Sequence, residues 1–495
     1  MSSTAQFRIN AVAGAGTTCA AIALGAALAC GGLPVLGYAL LGLSVVVAIS
    51  FAVRSAFDDL TRIPYWAACA GAFLVSANGM RRGSLTYSDA VIVAALVPAA
   101  LVGLRARQRV PWWLPVGVLL LAGSLAISEM FPVLDRSGPL FQVRNLGTGA
   151  QDLSSGISLA ARLILAVAVI PLALSVTVTS LRRARDLTTI WLLGIGFSSL
   201  VGVLAAFTRF DFQEALTGNL YAFEAYRDAA GRFTGLSVHP TLFGVAAAMA
   251  LPVALARIIS RRTACVYSPL VGLYVGAALI SGSRAAFIGT ILAFVLVFAW
   301  QARGRKQLAA IVIIGGLVVS TQGPAFASSL SAVQRFTGGT GLAGQSAQES
   351  DSSRFGAIAE SVELFMERPV TGWGYEAIRG AHNTWLQLAS SGGLLALAGW
   401  GTIVFGALAL GWKMRRTLPE RASRDALGLC ASLVVFLAAG LSMNAVLDRF
   451  LYVPVGLILA LWFGTRDRGS AHTGQRRSLH GNRRVPAHRT VGPSR

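Results

Sequence analysis

GWGYEAIRGAHNTWLQLASSGGLLALAGWGTIVFGALA, residues 372–409, passes from a Gly/Trp turn through His382 and Asn383 into a run, 384–409, that holds no Asp, Glu, Lys or Arg. A helix needs about 20 apolar residues to cross the hydrocarbon core of a bilayer. The run therefore reads as a membrane span. An imidazole at its threshold has two readings. It is an interfacial residue at the head of the span, or a base held at a membrane surface, where a side chain that accepts protons near neutral pH has a use.

The rest of the chain follows the same pattern. Of its 495 residues 55% are hydrophobic and 13% charged, about half the charge of a soluble domain, and the mean hydropathy is +0.64. Candidate spans fall at 11–30, 34–53, 62–78, 89–104, 111–128, 159–179, 188–207, 240–257, 265–281, 285–301, 307–322, 384–409, 426–442 and 447–464. The fold class expected is an all-α polytopic membrane protein, a bundle of about 12–14 transmembrane helices. Only Arg8 precedes the first apolar run, which reads as a first helix or signal anchor rather than a cleaved signal.

Alternate connections carry RARQR (105–109), RRAR (182–185), RIISRR (257–262), RGRK (303–306) and KMRRTLPERASR (413–424). The positive-inside rule puts these short basic loops in the cytoplasm, together with both termini. The formal charge of +21 is thus mostly a signal of orientation in a cytoplasmic (inner) membrane, and no nucleic-acid partner is expected. The tail 465–495 holds eight Arg and one Asp and reads as a disordered basic extension able to touch anionic lipid. The five cysteines lie in or beside apolar runs without a CxxC pair and read as packing residues, so no metal and no cofactor is expected. The domain division expected is a transmembrane bundle over 1–231, a second transmembrane region over 232–464, and the tail.

The other side of the membrane receives the segments 79–88, 128–158, 208–239 and 323–383. The last opens with a Gly/Ser/Thr/Gln-rich stretch, 337–348, expected to be flexible. An amphipathic helix should follow, capped by Asp351 or Ser352 and ended by Pro369. Its apolar stripe is Phe355, Ile358, Ala359, Val362, Phe365 and Met366, laid against the membrane surface or the bundle.

Orientation explains the inner arginines but not the outer ones: Arg81, Arg82, Arg144, Arg209, Arg227, Arg232, Arg284, Arg335, Arg354, Arg368 and Arg379. Arg284 sits in ISGSRAAFIG between two apolar runs with almost no loop. An arginine there is costly in the membrane, and a carboxylate, helix-end carbonyls or an anionic ligand such as a phosphate would offset that cost. Arg232 precedes a span and reads as a snorkelling residue or an anion ligand. Arg354, at the head of the expected helix, would sit against the positive end of its dipole. His239 reads as a polar residue starting the helix at Pro240.

These residues resemble the C-terminal signature of the O-antigen ligase and polymerase superfamily. That signature runs Ser-Arg, an amphipathic helix, Pro-x-x-Gly-x-Gly, then His-Asn at the head of a span with a Gly farther on. Here Ser353-Arg354, Pro369, Gly372, Gly374, His382-Asn383 and Gly393 stand at those places, with the His-x10-Gly spacing of the ligases. SGSRAAFIG (281–289) is similar to the Ser-Arg span start, and RFTGLSVHPTLFG to an Arg-x-x-Gly … Asn-Pro-Asn segment, with His239 and Thr241 in place of the asparagines. The resemblance covers about 232–400.

It implies a metal-independent, inverting glycosyl transfer outside the cytoplasmic membrane, from a glycan on a polyprenyl diphosphate to a hydroxyl acceptor, in cell-surface polysaccharide synthesis. Arg284, Arg354 and Arg232 would hold the diphosphate, with Asn383 among the substrate-binding residues. His382 would deprotonate or orient the acceptor, a glycan or a lipid-linked one. Gly372, Gly374 and Gly393 would shape the turn. Polymerase and ligase are both open. Two other classes fit a polytopic chain with outer cations: a lipid-linked glycan flippase or transporter, and a cell-shape or division glycosyltransferase, for which Asp351 would be the acidic candidate.

Overall fold

The computed structural model describes residues 62–79, 81–82, 85–86, 88, 91, 110–134, 161–208, 232–259, 261–300, 342–374, 382–443 and 446–465. They form helices α1 (Arg62–Leu74), α2 (Trp113–Leu134), α3 (Ala161–Val176), α4 (Leu181–Thr208), α5 (Pro240–Ile258), α6 (Arg261–Ile280), α7 (Arg284–Trp300), α8 (Leu342–Glu367), α9 (Thr384–Met414), α10 (Glu420–Ala439) and α11 (Arg449–Thr465). A two-residue antiparallel pairing, Arg81–Arg82 with Leu85–Thr86, is the sheet structure among them. The expected spans at 11–30, 34–53 and 307–322, nearly all of 89–104, and the tail from 466 on lie outside the described residues. Each of the other spans is met by a helix. Four of these, α4, α5, α9 and α10, are long and apolar enough to cross a membrane by length and composition. The chain is an all-α membrane protein.

Helix α5 explains the packing. Its sequence, PTLFGVAAAMALPVALARI, is rich in alanine, and it is buried from Phe243 to Arg257. Small side chains let neighbouring helices approach closely where lipid supplies no hydrophobic drive between them. Accordingly α4, α6, α7 and α10 all pack around α5. Two cross-helix bonds fasten this group: Ser432 Oγ donates to the Met249 carbonyl, and Tyr274 Oη donates to the Leu192 carbonyl at 2.6 Å. A second tight pair, α2 on α9, meets where a Cβ on Gly399 would lie 2.7 Å from the Leu121 nitrogen and 2.8 Å from the Gly117 oxygen. The outward faces keep large apolar side chains in the open, among them Leu119, Leu193, Phe207, Ile291 and Val295. In water such faces would be a liability. Against lipid tails they are the expected surface.

A charged cluster closes one end of the bundle. The Asp425 carboxylate, fully buried at the start of α10, accepts from Arg257 Nε at 2.7 Å and from Arg185 Nε at 3.0 Å. Arg257 also donates to Thr189 Oγ1 and Tyr267 Oη, each at 2.7 Å. One carboxylate thereby joins α4, α5, α6 and α10.

The expected start of the helix at 342–367 needs correction. Its start is Leu342, so Asp351 and Ser352 lie inside it rather than capping it, and the part of the 337–348 stretch from Leu342 on is helical. Leu, Ala, Gln and Glu in LAGQSAQE outweigh the single Gly in helix propensity. The argument that Arg354 opposes the helix dipole falls with this, because the residue sits more than two turns from the N-terminus. Of the two places expected for the apolar stripe, the bundle does not receive it: Phe355, Val362 and Met366 are exposed, as on a helix laid against a membrane surface, while Ser361 and Leu364 turn inward onto the N-terminal part of α9.

Candidate active site

The end of α5 away from the charged cluster is where three of the arginines expected outside, Arg232, Arg284 and Arg354, converge. Thr241 and Arg257 are separated by 16 residues of one helix, about 24 Å along its axis. Before α5 the chain runs as an irregular segment, 232–239, stitched to its surroundings. Phe233 N–H donates to the Ile280 carbonyl at 3.2 Å, Gly79 N–H to the Leu236 carbonyl at 2.9 Å, and Val238 N–H to Asn78 Oδ1 at 3.0 Å. His239 is extended (φ −142°), and its Nδ1 accepts from Thr241 N–H at 3.1 Å, which caps α5. Arg232 is buried: its Nε donates to the Ser281 carbonyl at 2.9 Å and its Nη2 to Thr241 Oγ1 at 3.2 Å.

The SGSR stretch builds the opposite wall. Gly282 takes φ +59°, a left-handed conformation that glycine adopts without strain. Ser283 then closes the first turn of α7: its Oγ accepts from Ala286 N–H at 3.3 Å and its carbonyl from Phe287 N–H at 3.0 Å. Arg284 is the first residue of α7. A cation there works against the helix dipole, a conflict that an anion lying between the two would relieve.

Between these walls is a cavity of about 290 Å³ lined by Arg232, Thr241, Gly282, Ser283, Arg284, Ala285, Ile288, Arg354, Phe355 and Ser442. Three arginines that are far apart in sequence share one space, and among the described residues no carboxylate lines it. The N-terminal turns of α5 and α7 both open onto it, through Thr241 and through Ser283–Ala285. Guanidinium forks and helix N-termini are the two standard means by which proteins hold phosphate oxygens. One side of the lining is apolar, with Ala285, Ile288 and Phe355.

His382 lies beside this cavity rather than in its wall. It is partly buried and has φ +46°, the one positive φ at a non-glycine residue among those described. Burial pushes its pKa below the ordinary imidazole value, and the nearby charge of Arg354 pushes it the same way. The imidazole is therefore neutral at physiological pH, the form that can accept a proton. Asn383 Oδ1 accepts from Trp385 N–H at 2.9 Å and Leu386 N–H at 3.1 Å, so this oxygen caps α9. The head of α9 is pinned to the end of α10, with Thr384 N–H donating to the Gly440 carbonyl at 2.7 Å and Thr384 Oγ1 to the Met443 carbonyl at 2.8 Å. The same 440–443 segment brings Ser442 to the cavity.

The glycines act as a backbone joint. Helix α9 breaks at Gly393 (φ 65°, ψ −163°), and the 369–374 turn fills the break. Trp373 N–H donates to the Ser390 carbonyl at 2.9 Å and Gly374 N–H to the Ser391 carbonyl at 2.8 Å, while Leu394 N–H donates to the Pro369 carbonyl at 2.7 Å. The groups that a helix break would orphan are thereby satisfied, which a membrane interior demands. Contact is backbone to backbone: a Cβ on Gly393 would lie 2.2 Å from the Val370 oxygen, and one on Gly372 (φ +68°) 2.4 Å from Ser391. Trp373 anchors the turn to α8, donating from Nε1 to the Leu364 carbonyl at 3.1 Å, with the Arg368 guanidinium stacked 3.8 Å over its ring.

The structure thus brings Arg232, Arg284 and Arg354 together, places His382 within electrostatic reach of Arg354, and shows where Asn383, Gly372, Gly374 and Gly393 stand. Arg368, one of the cations expected outside, has a packing role on Trp373. Arg144, Arg209, Arg227, Arg335 and Arg379 lie outside the described residues. Sequence reasoning gave no role to Thr241 as an arginine partner, nor to Ser283 or Ser442. Ser283 was visible as the residue before Arg284, but Ser442 reaches the cavity from a distant segment without a local signal.

Residues 269–401 match the family model for O-antigen ligase. The matched span includes Arg284, Arg354, the 369–374 turn, His382, Asn383 and Gly393, and leaves Arg232, Thr241 and Ser442 outside it. A search of curated proteins finds no match.

Proposed function

We propose that this chain, a member of the O-antigen ligase and polymerase superfamily through its residues 269–401, transfers a glycan from a polyprenyl diphosphate to a hydroxyl acceptor at the outer face of the cytoplasmic membrane. The observation that carries this reading is the cavity in which Arg232, Arg284 and Arg354 meet at two helix N-termini. The acceptor oxygen attacks the anomeric carbon as the bond to the diphosphate oxygen breaks on the opposite side, so configuration inverts. The acceptor's proton passes to neutral His382, and the charge left on the diphosphate is spread over the three guanidiniums. These residues supply the charge stabilisation that a metal ion provides in other transferases. Asn383 retains its amide nitrogen as a donor toward the acceptor.

The topology agrees with this assignment. The cavity residues all come from chain segments that the positive-inside rule puts outside, and the Arg185–Asp425–Arg257 cluster from segments it puts inside. Both termini are then cytoplasmic. We propose with it the domain division of a transmembrane bundle over 1–231, a catalytic transmembrane region over 232–464 and a basic cytoplasmic tail. The product is an exopolysaccharide or another envelope glycan.

The test is product analysis with the purified protein in lipid vesicles supplied with polyprenyl diphosphate-linked oligosaccharide. A ladder of longer lipid-linked products identifies a polymerase, and a single transfer to a second acceptor identifies a ligase. Movement of the lipid-linked sugar across the vesicle without any new glycosidic bond would overturn the proposal in favour of a transporter.

A further inference from the structure

We infer that Thr241 is a positioning residue for anion binding: its hydroxyl accepts from Arg232 and turns its own proton into the cavity. This rests on the reading of the cavity as the diphosphate site. Arg232 is 9% exposed, and its guanidinium is held by two different elements. The Ser281 carbonyl, just past the end of α6, accepts from Nε at 2.9 Å, and Thr241 Oγ1, in the first turn of α5, accepts from Nη2 at 3.2 Å. A planar fork held at Nε and at Nη2 has its plane set, which is the condition for directed recognition of phosphate oxygens.

A hydroxyl has one donor and two acceptor positions. With Arg232 donating to it, Thr241 Oγ1 has its proton left to give, and the side chain lines the cavity. A hydroxyl polarised by a guanidinium is a stronger donor than an isolated one. The residue's backbone is fixed as well, since its N–H donates to His239 Nδ1, and β-branching restricts its χ1. Thr241 thus does two things for an anionic oxygen: it aims Arg232 and it adds a donor beside it. A side chain without the hydroxyl would do neither.

The experiment measures binding of inorganic diphosphate to the full chain in lipid nanodiscs by titration calorimetry. Thr241→Val should weaken binding about tenfold, the size expected for losing a charge-assisted hydrogen bond. Thr241→Ser, which keeps the hydroxyl, should stay within about threefold of the unaltered protein. In a double-mutant cycle the valine substitution should cost much less on an Arg232→Ala background than alone, because the two groups act together. Binding by Thr241→Val equal to the unaltered protein, equal losses in the serine and valine variants, or losses that multiply independently would each overturn the inference. If Arg284→Gln abolishes binding while Thr241→Val leaves it unchanged, the cavity reading stands and this inference alone fails. If the unaltered protein binds no diphosphate, both fail.

Discussion

His382 holds a left-handed backbone angle, the one such angle at a non-glycine residue among those described. Such angles persist where surrounding contacts hold them, here the Asn383 cap and the bond from Thr384 N–H to the Gly440 carbonyl, and they cluster at functional sites. The imidazole's affinity for a proton is lowered first by burial and then by Arg354. If it is the base, kcat/KM falls as pH drops through that lowered pKa, since the protonated ring cannot accept. Arg354→Gln removes one of the two depressing influences, so the acid limb of the pH profile should move to higher pH. A pH–rate series on the two proteins checks this, and a limb that stays in place or moves to lower pH would contradict it. At this scale much was legible in the sequence. Arg284 was conspicuous because an arginine between two apolar runs demands a reason. Arg232 showed only its type; that it would be buried with Thr241 and Ser281 depends on how α5 and α6 meet, which no local pattern carries. Asn383 was expected among the substrate-binding residues, and its oxygen is occupied as a helix cap, so Asn383→Ala should lower stability by about 1 kcal/mol, read as a drop in the thermal midpoint.

The element that organises the site is the joint between the 369–374 turn and the broken helix α9. Its glycines answer to geometry: Gly393 holds φ 65° and its missing side chain leaves room for the Val370 oxygen. Gly393→Ala must both strain the backbone and push the turn away. The expected cost is at least about 1–3 kcal/mol, seen as a lower melting temperature in detergent. An unchanged melting temperature would show that the turn is not held there. The spacing of these residues was readable before any fold was known, because glycines in a turn and at a break leave a sequence mark. The start of α8 was not. Its first turns, LAGQSAQ, carry the polar and small residues of a loop, and their helicity is decided by summed propensity over many residues. The direction of its apolar stripe was equally hidden, as periodicity tells that a face exists but not which neighbour it meets.

Across the whole molecule the two ends of α5 are given to opposite tasks. One end faces a cationic cavity open to a ligand, and the other is closed by a carboxylate shared between two arginines. Removing the carboxylate by Asp425→Asn leaves Arg257 buried with its principal partner gone, which costs about 3–5 kcal/mol, whereas replacing Asp425 and Arg257 together by Leu and Met should recover most of it. Thermal unfolding of the three variants decides the matter, and equal stability of Asp425→Asn and the unaltered protein would contradict the clamp. The bundle itself was legible from hydropathy alone, since helices in lipid must be long, apolar and internally hydrogen-bonded. The convergence of 232, 284 and 354 on one cavity was not, because it is a property of packing. If this cavity and His382 form one catalytic site, the most telling experiment is His382→Ala assayed for both donor binding and transfer in vesicles. The polyprenyl diphosphate-linked donor should still bind while transfer falls by about 10²–10⁴-fold, the contribution of a general base. Transfer within a few-fold of the unaltered protein would contradict it.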